Sequence, residues 1–171
     1  MAAVITREEI LDLLKNTPPL IDGLRDAKMQ IQPNGVDITI RDIAVFTSPG
    51  KIGSQSQNRV LSNTSQLVFN TAGAMHLTSG CYLLTHNEIV NLPKDIMALA
   101  LPRSSLLRCG VSIHTAVWDA GYSGRSQSLM VVYNPLGFQL YKDAAIIQLV
   151  FFRLSHETSE GYRGMFQHEN I

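Results

Sequence analysis

The sequence predicts a mainly β protein, a distorted β-barrel or jelly-roll with one N-terminal helix. From Gln30 onward, short runs of β-branched and aromatic residues alternate with breaks made of Gly, Pro, Asn and Ser. No glycine-rich turn of the Rossmann or P-loop kind joins a strand to a helix. The 171 residues, 45% of them apolar, suit one domain with a sizeable core. We therefore expect a single domain over residues 1–171.

The first 20 residues predict a helix that packs on the outside of this domain. Thr6 is the expected N-cap, and Glu9 follows three residues later, which is the spacing of a capping box. The two prolines of TPPL would end the helix. Its apolar face would consist of residues spaced three and four apart, namely Ile10, Leu13 and Leu14.

Eight segments after Gln30 are strand candidates, and their spacing is typical of a sandwich or barrel rather than of strand–helix–strand units. In chain order they are VDITI, QLVFN, CYLLTHNEIV, IMALALP, VSIHTAVW, SLMVVYNP, FQLY and AIIQLVFFRL. The polar stretch SPGKIGSQSQN is predicted to be a loop. The last segment, about residues 155–171, is predicted to be a mobile tail, because chain ends become ordered only where they are tied down.

The composition argues against several classes of protein. Fourteen basic and fourteen acidic side chains give a formal net charge of zero, which argues against a general nucleic-acid or membrane-surface binder. No apolar run approaches the ~18–20 residues that a membrane span requires, and the N-terminus lacks the pattern of a secretory signal. We therefore expect a cytoplasmic protein with no nucleic-acid or membrane partner.

The cysteines and histidines do not have the spacing of a metal site. Cys81 and Cys109 are not part of a CxxC pair, and the five histidines show neither HxH nor HExxH spacing. We expect no direct metal ligands. Both cysteines are predicted to be buried, because free cysteine usually behaves as a small apolar side chain.

The segment PRSSLLR is a candidate anion site. Pro102 would stop a strand, after which Ser104 and Ser105 offer hydroxyl and main-chain N–H groups that point at one spot if a helical turn begins there. Arg103 and Arg108 would add charge-assisted donors. Taken by itself, the segment is better explained as a surface turn with an N-capping serine.

The segment WDAGYSG is the second candidate. Its two glycines permit a tight turn, so it predicts the turn of a hairpin. Asp119 stands at the entry of this turn, beside Trp118 and Tyr122. The aspartate is either the cap of its own loop, as in an Asx-turn, or a general base held beside apolar rings. The residues alone leave both interpretations open.

Five segments, taken in order, resemble the motifs of the dUTP diphosphatase and dCTP deaminase superfamily, especially its archaeal dUTP diphosphatase (dUTPase) branch. They are PNGVDITI, PRSSLLRCG, WDAGYSG, AAIIQLVFF and, in much reduced form, GYRGMFQ. The resemblance implies the β-clip fold of that superfamily, a distorted barrel that assembles as a homotrimer with three sites between subunits. Two features depart from the family pattern. The tail lacks a Gly-Gly-Phe-Gly arrangement, and extra residues within RSQSLM predict a bulge.

The resemblance implies two roles at the reacting end of the nucleotide. Asp119 would be the catalytic base that activates the attacking water. Tyr122 would place its ring against the deoxyribose and leave no room for a 2′-hydroxyl. The main chain from Val111 to Asp119 would read the edge of the base.

The resemblance also implies residues that bind phosphates or close the site. Arg103 would brace the substrate-binding site through Asp119. Asp37 would lie near a metal-bound water, with Mg²⁺ held through the substrate phosphates. The other substrate-binding residues are Ser104, Ser105, Arg108 and Gln148 at the phosphates, and Arg163 and Phe166 in a C-terminal lid.

The choice of reaction depends on a missing carboxylate. Zinc-free dCTP deaminases of this superfamily use a glutamate on the strand after the third motif, and Val131 stands at that position. Residues 120–142 contain no Asp or Glu, and the H-x-E and P-C-x-x-C elements of zinc deaminases are missing. We therefore expect Mg²⁺-assisted hydrolysis of dUTP to dUMP and pyrophosphate, which keeps uracil out of DNA and supplies dUMP. The alternatives are a mono- or bifunctional dCTP deaminase and a non-catalytic nucleotide-binding regulator of the same fold.

Overall fold

The protein is mainly β, as predicted, in a computed structural model that describes residues 3–171. Three short helices are α1 (Arg7–Leu13), α2 (Ala27–Gln30) and α3 (Ser104–Arg108), and residues Ser56–Asn58 form a 3₁₀ turn. The strands are β1 (Ala3–Val4), β2 (Ile21–Asp22), β3 (Ile31–Gln32), β4 (Gly35–Phe46), β5 (Thr64–Leu67), β6 (Ala74–Leu77), β7 (Gly80–His86), β8 (Ile89–Asn91), β9 (Ile96–Pro102), β10 (Val111–His114), β11 (Ser123–Gly124), β12 (Gln127–Val132), β13 (Phe138–Tyr141) and β14 (Ala145–Arg153). Each of the eight predicted segments contains at least part of a strand.

Nine strands form one antiparallel sheet that curls into a half-barrel, which confirms the predicted fold class. The main path of the sheet is β1–β14–β4–β7–β12–β10, with β3 and β5 added to β4 and β9 added to β14. Two smaller sheets are β11–β8–β2 and β13–β6. The two longest strands, β4 and β14, pair at the centre and bury apolar side chains that alternate along each strand.

The N-terminal helix begins where predicted but ends earlier. The Thr6 side chain accepts the Glu9 N–H at 3.4 Å, whereas the Glu9 carboxylate pairs with Arg153 instead of returning to the cap. The helix ends at Leu13, before the prolines, because the chain turns there and Leu20 donates its N–H to Leu13 O at 3.2 Å. No helix within residues 3–171 is long and apolar enough to cross a membrane.

The prediction that both cysteines are buried was wrong. Cys81 and Cys109 are free and exposed. Cys81 lies on β7 opposite Val131, on the face of the sheet that points away from the core. Cys109 is the residue that ends α3. The exposure of Cys81 is therefore set by strand alternation and that of Cys109 by the helix end, and not by the apolar character of cysteine.

Candidate active site

A cavity of about 1020 Å³ opens beside the loop that joins β10 to β12. We call the part of this loop from Trp118 to Ser126 the Asp119 loop. The other walls are the edge of the sheet around β4 and β7, the loop of residues 50–62, and the C-terminal tail (residues 155–171). Of the predicted site residues, Asp119, Tyr122 and Phe166 line this cavity.

Asp119 is exposed on the cavity wall and sits in a turn that its main chain closes. Tyr122 donates its N–H to Asp119 O at 3.1 Å, and Gly121 adopts a φ of +84°, which favours glycine. Since main-chain atoms close the turn, the Asp119 carboxylate is available to the cavity. The segment lies in the connection of the antiparallel pair β10–β12, as the predicted hairpin requires. The connection is not a tight turn, because Trp118 bridges Ala98 on β9 and β11 pairs with β8.

Tyr122 presents a fixed ring to the same cavity. Its side chain is buried, and its hydroxyl donates to Glu169 Oε1 at 2.9 Å. The ring packs edge-to-face against Tyr162, with centroids 5.7 Å apart. Burial, reinforced by the Glu169 carboxylate, raises the pKa of Tyr122 above its usual range. The phenol therefore stays protonated and the ring provides a rigid apolar wall.

The C-terminal tail lies across the Asp119 loop and is tied to it by several hydrogen bonds, of which two main-chain bonds mark the start and the end of the crossing. Near the start of the crossing, Tyr162 donates its N–H to Ala120 O at 2.8 Å. Near the end, His168 donates its N–H to Ser123 O at 2.7 Å. Phe166 lies between the two ties, at the cavity. Closure of this tail over a nucleotide stays a prediction.

Arg163, the other residue with a predicted lid role, does not line the cavity. Its side chain is exposed, and Nη1 lies 3.6 Å from the Glu160 carboxylate. An exposed ion pair of this kind contributes little to stability. The position of Arg163 is thus not fixed by a strong contact, and its predicted lid role stays a prediction.

Glu169 is a cavity residue that the sequence did not reveal. Its carboxyl contacts Tyr122, and burial raises its pKa while the Tyr122 hydrogen bond partly offsets that rise. The residue stands in a polar segment that predicts a mobile tail, so no sequence signal singles it out. Its position adds a second carboxyl to the cavity that Asp119 lines.

The loop of residues 50–62 is a second part of the cavity wall that the sequence analysis missed. Lys51 and Val60 bridge its two sides through reciprocal main-chain bonds of 2.8 Å. Arg59 and Ile52 both face the cavity. The signal was present in the sequence, as these apolar and basic residues interrupt a stretch of Ser, Gly and Gln.

A separate polar cluster forms where β14 lies between β4 and β9. Gln148 on β14 is paired with Asp37 on β4 and with Leu101 on β9. Arg103 follows Leu101 by two residues, so it lies close to Asp37 just past the end of β9. Arg103 Nε lies 3.3 Å from Asp37 Oδ2. Within one chain the strand register places Asp37, and not Asp119, beside Arg103, so the expected brace through Asp119 stays a prediction.

Asp37 is held in place by burial and by its cationic neighbour. Its side chain is buried, which raises the pKa of the carboxyl, and the nearby Arg103 and a hydrogen bond from Gln32 oppose that rise. The ion pair therefore keeps a charge in the protein at a place that would otherwise favour the neutral acid.

Helix α3 presents polar groups next to this cluster. The strand ends at Pro102 and the helix begins at Ser104, as the sequence suggested. Ser104, Ser105 and Arg108 are exposed, and Arg108 Nη1 donates to Ser104 O at 3.2 Å. Buried Leu106 anchors the helix to the core. Two serine hydroxyls and two arginines thus face solvent together.

Within one chain, the predicted site residues form two groups on different surfaces. None of Arg103, Ser104, Ser105, Arg108 and Gln148 lines the cavity that contains Asp119. The first group offers a carboxylate and an aromatic wall. The second offers cationic and hydroxyl donors suited to phosphates.

The Arg125–Ser128 stretch ties the Asp119 loop to β7. Strand β12 pairs with β7 in an unbroken register from Gln127 to Val132, so the predicted bulge does not occur within that strand. The Ser126 and Ser128 hydroxyls lie 3.0 Å from Nδ1 and Nε2 of His86, respectively. The stretch therefore supplies polar partners to a buried histidine.

Residues 4–154 match the family described as dCTP deaminase-like. The chain belongs to this family. It is 47% identical to a protein of Methanococcoides burtonii over 168 residues, 98% of this chain and 99% of that one, which is named a probable deoxyuridine 5′-triphosphate nucleotidohydrolase. A protein of Archaeoglobus fulgidus with the same name is 43% identical, with 99% of this chain and 98% of that one covered. The resemblance inferred from the five motifs is thus confirmed.

The dCTP deaminase-like fold is also found in a solved structure. The chain is similar to the 2′-deoxycytidine 5′-triphosphate deaminase from Agrobacterium tumefaciens, with a TM-score of 0.67 and 18% sequence identity. The likeness covers 89% of this chain and 48% of that one, so this chain spans about half the length of that protein. At this level of identity the likeness shows the fold alone.

We expect the stability of this dCTP deaminase-like chain to fall as the pH drops from 6.5 towards 4. Burial lowers the pKa of His86 from 6.5 to about 4, so the unfolded chain binds a proton in this range that the folded chain does not. The contribution is complete above pH 6.5 and amounts to about 3 kcal/mol. Urea unfolding across pH 4–7 measures it.

The matched variants for this measurement are His86→Gln and His76→Gln. His86→Gln removes the titrating group, so the pH slope attributable to His86 should vanish. His76 is exposed and its replacement should leave the slope unchanged. Burial raises the pKa of the neighbouring Glu88, and its contribution has the opposite sign. If the pH dependence of the free energy of unfolding persists in His86→Gln, groups other than His86 cause it.

Proposed function

We propose that this chain hydrolyses dUTP to dUMP and pyrophosphate. The observation that carries the proposal is the exposed Asp119 carboxylate on the wall of the cavity, beside the buried ring of Tyr122. The archaeal relatives named as probable deoxyuridine 5′-triphosphate nucleotidohydrolases support the substrate. The ring of Tyr122 would lie against the deoxyribose and exclude a 2′-hydroxyl.

Asp119 would orient a water molecule and accept its proton as the water attacks the α-phosphorus. The bond from that phosphorus to the bridging oxygen breaks, and pyrophosphate leaves. Ser104, Ser105 and Arg108 would donate to the phosphate oxygens, together with Arg103 and Gln148, and so stabilise the charge that develops. Phe166 and Arg163 would close the site from the tail.

We call the second group of predicted site residues the phosphate cluster; it consists of Arg103, Ser104, Ser105, Arg108 and Gln148. These residues fit Mg²⁺ that is carried by the substrate. The nearest buried carboxylate, Asp37, is already paired with Arg103, and no group of three acidic, His or Cys side chains converges within residues 3–171. Phosphate oxygens would therefore supply the ligands, with Asp37 near a coordinated water. When bound, the ion would neutralise charge on the phosphates.

We further propose a homotrimer in which a second copy of the chain completes each site. The Asp119 cavity and the phosphate cluster lie on different surfaces, so neither holds both halves of the chemistry. Next to the phosphate cluster, Leu99 and Leu101 on β9 are 42% and 71% exposed, and Leu107 on α3 is 57% exposed. Burial of such leucines against another copy would be favourable.

Deamination of dCTP is the second candidate, because one specific observation favours it. Val131 still stands where the family's glutamate is expected, but Glu169 brings a carboxyl with a raised pKa into the cavity. A carboxyl in a substrate cavity can exchange a proton with a cytosine ring. A test of function must therefore include dCTP.

The deciding experiment incubates the chain with Mg²⁺ and, separately, dUTP, dCTP, dTTP and UTP. Products are resolved by chromatography. Formation of dUMP from dUTP, with UTP left intact, is the expected result. Release of dUTP or dUMP from dCTP would establish deamination, and tight binding without product would indicate a nucleotide-binding regulator.

A further inference from the structure

A buried series of hydrogen bonds joins both ends of the Asp119 loop to the core. Nε1 of Trp118 lies 3.0 Å from Ser126 Oγ, which in turn lies 3.0 Å from Nδ1 of His86. The exposed fractions of these three side chains are 5%, 7% and 1%. We call Trp118, Ser126 and His86 the loop clamp. On the far side of the ring, Ser128 Oγ lies 3.0 Å from Nε2.

The direction of these bonds follows from the indole, which can only donate. Trp118 donates to Ser126 Oγ, and the Ser126 hydroxyl can in turn donate to Nδ1 of His86. In the tautomer that fits this direction, the ring carries its hydrogen on Nε2 and donates it to Ser128 Oγ. This arrangement satisfies every buried group and requires a neutral imidazole, consistent with the burial that lowers the pKa of His86 to about 4.

The loop clamp holds the residues on both sides of Asp119. Trp118 directly precedes it and exchanges two main-chain bonds with Ala98, of 2.9 and 3.1 Å. Ser126 ends the loop, and its carbonyl accepts the His86 N–H at 3.2 Å. Trp118 and Ser126 also line the cavity. The two ends of the loop are therefore fixed to each other at the cavity wall.

We propose that Ser126 and His86 are positioning residues that hold the Asp119 carboxylate and the Tyr122 ring in their reactive places through Trp118. The proposal rests on the dUTP hydrolysis proposed above. A displacement of about 1 Å at a catalytic group can lower a rate on the order of 10²-fold, so loss of the clamp acts on kcat. A histidine that only completes the core affects stability and leaves turnover unchanged.

The test compares Ser126→Ala with Ser128→Ala in the full chain. Each variant removes one buried hydroxyl from the same imidazole, but only Ser126 contacts Trp118. Ser126→Ala is expected to lower kcat for dUTP by about tenfold or more with KM nearly unchanged, and Ser128→Ala by less than about twofold. Both should lower the urea midpoint. Ser126→Thr, which keeps the hydroxyl, should recover most of the lost turnover.

Two results would overturn the proposal. One is a kcat for Ser126→Ala equal to that of the unmodified chain. The other is an equal loss of kcat in the two alanine variants, which would indicate a general effect of core polarity. If Ser126→Ala does not fold, Trp118→Phe removes the indole donor together with part of the ring volume and takes its place in the comparison with Ser128→Ala, with the same expected difference in kcat.

A second measurement needs no substrate. Trp118 is the only tryptophan in the sequence, so its fluorescence reports on the loop clamp directly. We expect Ser126→Ala to shift the emission to the red and increase quenching by acrylamide, and Ser128→Ala to leave both unchanged. If the unmodified chain does not hydrolyse dUTP, the proposed function fails while this comparison still tests the clamp. Unchanged Trp118 emission in Ser126→Ala overturns the clamp whatever the activity.

Discussion

Asp119→Asn is expected to abolish measurable dUTP hydrolysis while the chain still folds. Asparagine has the same shape but cannot accept the proton of the attacking water, and loss of a general base lowers kcat by about 10²–10⁴-fold. Asp119 is exposed and main-chain atoms close its turn, so the exchange should cost little stability. Release of dUMP measures kcat, and the urea midpoint measures folding.

The matched control for this variant is Asp12→Asn. Asp12 is an exposed aspartate on α1 whose side chain pairs only with exposed Lys15. Its loss should leave both turnover and the urea midpoint unchanged. Turnover of Asp119→Asn close to that of the control would remove Asp119 from the mechanism, and the carboxyl of Glu169 would become the next candidate for the base.

Glu88→Ala is expected to lower the free energy of unfolding by about 3–5 kcal/mol. The Glu88 side chain is fully buried and accepts three hydrogen bonds: from Gln30 Nε2 at 2.7 Å, Thr39 Oγ1 at 2.6 Å and the Thr39 N–H at 2.9 Å. Alanine removes the acceptor of all three bonds, and only Gln30 Nε2 keeps another acceptor, Asp37 O at 2.8 Å. Urea unfolding followed by tryptophan fluorescence measures the loss.

Glu88→Gln separates lost hydrogen bonds from lost charge. The amide oxygen still accepts from part of the network, so this variant should lose less stability than Glu88→Ala. An alanine variant as stable as the unmodified chain would show that water replaces the carboxyl. Burial raises the pKa of Glu88, so ionising this carboxyl in the folded chain costs free energy. Glutamine avoids that cost, which is a second reason to expect a smaller loss of stability in Glu88→Gln near neutral pH.

The fold was predictable because strand signals are local. Alternating apolar residues and Gly, Pro or Asn breaks located the long strands β4, β7, β9, β12 and β14, and IMALALP coincides with β9 from Ile96 to Pro102. The extent of α1 was less predictable. Where it ends depends on a contact between Leu13 and Leu20, which no helix propensity encodes. The exposure of Cys81 likewise depends on strand register rather than residue type.

The site was predictable only in part. Motifs identified Asp119 and Tyr122, which the structure brings to one cavity. The contact of Arg103 with Asp37 could not be predicted, since it depends on how β4, β14 and β9 are arranged across the sheet. Glu169 could not be identified from the sequence, because its contact with Tyr122 depends on where the tail crosses the Asp119 loop.

Where the tail crosses the Asp119 loop, Gly121 and Gly161 approach so closely that neither position has room for a side chain. A Cβ on Gly121 would lie 2.6 Å from Gly161 Cα, and a Cβ on Gly161 would lie 3.1 Å from Gly121 Cα. Gly121 also meets the demand of its own turn for a positive φ, whereas Gly161 serves the crossing alone. In evolutionary terms, a lineage whose tail takes another path is released from Gly161 but still has to keep Gly121.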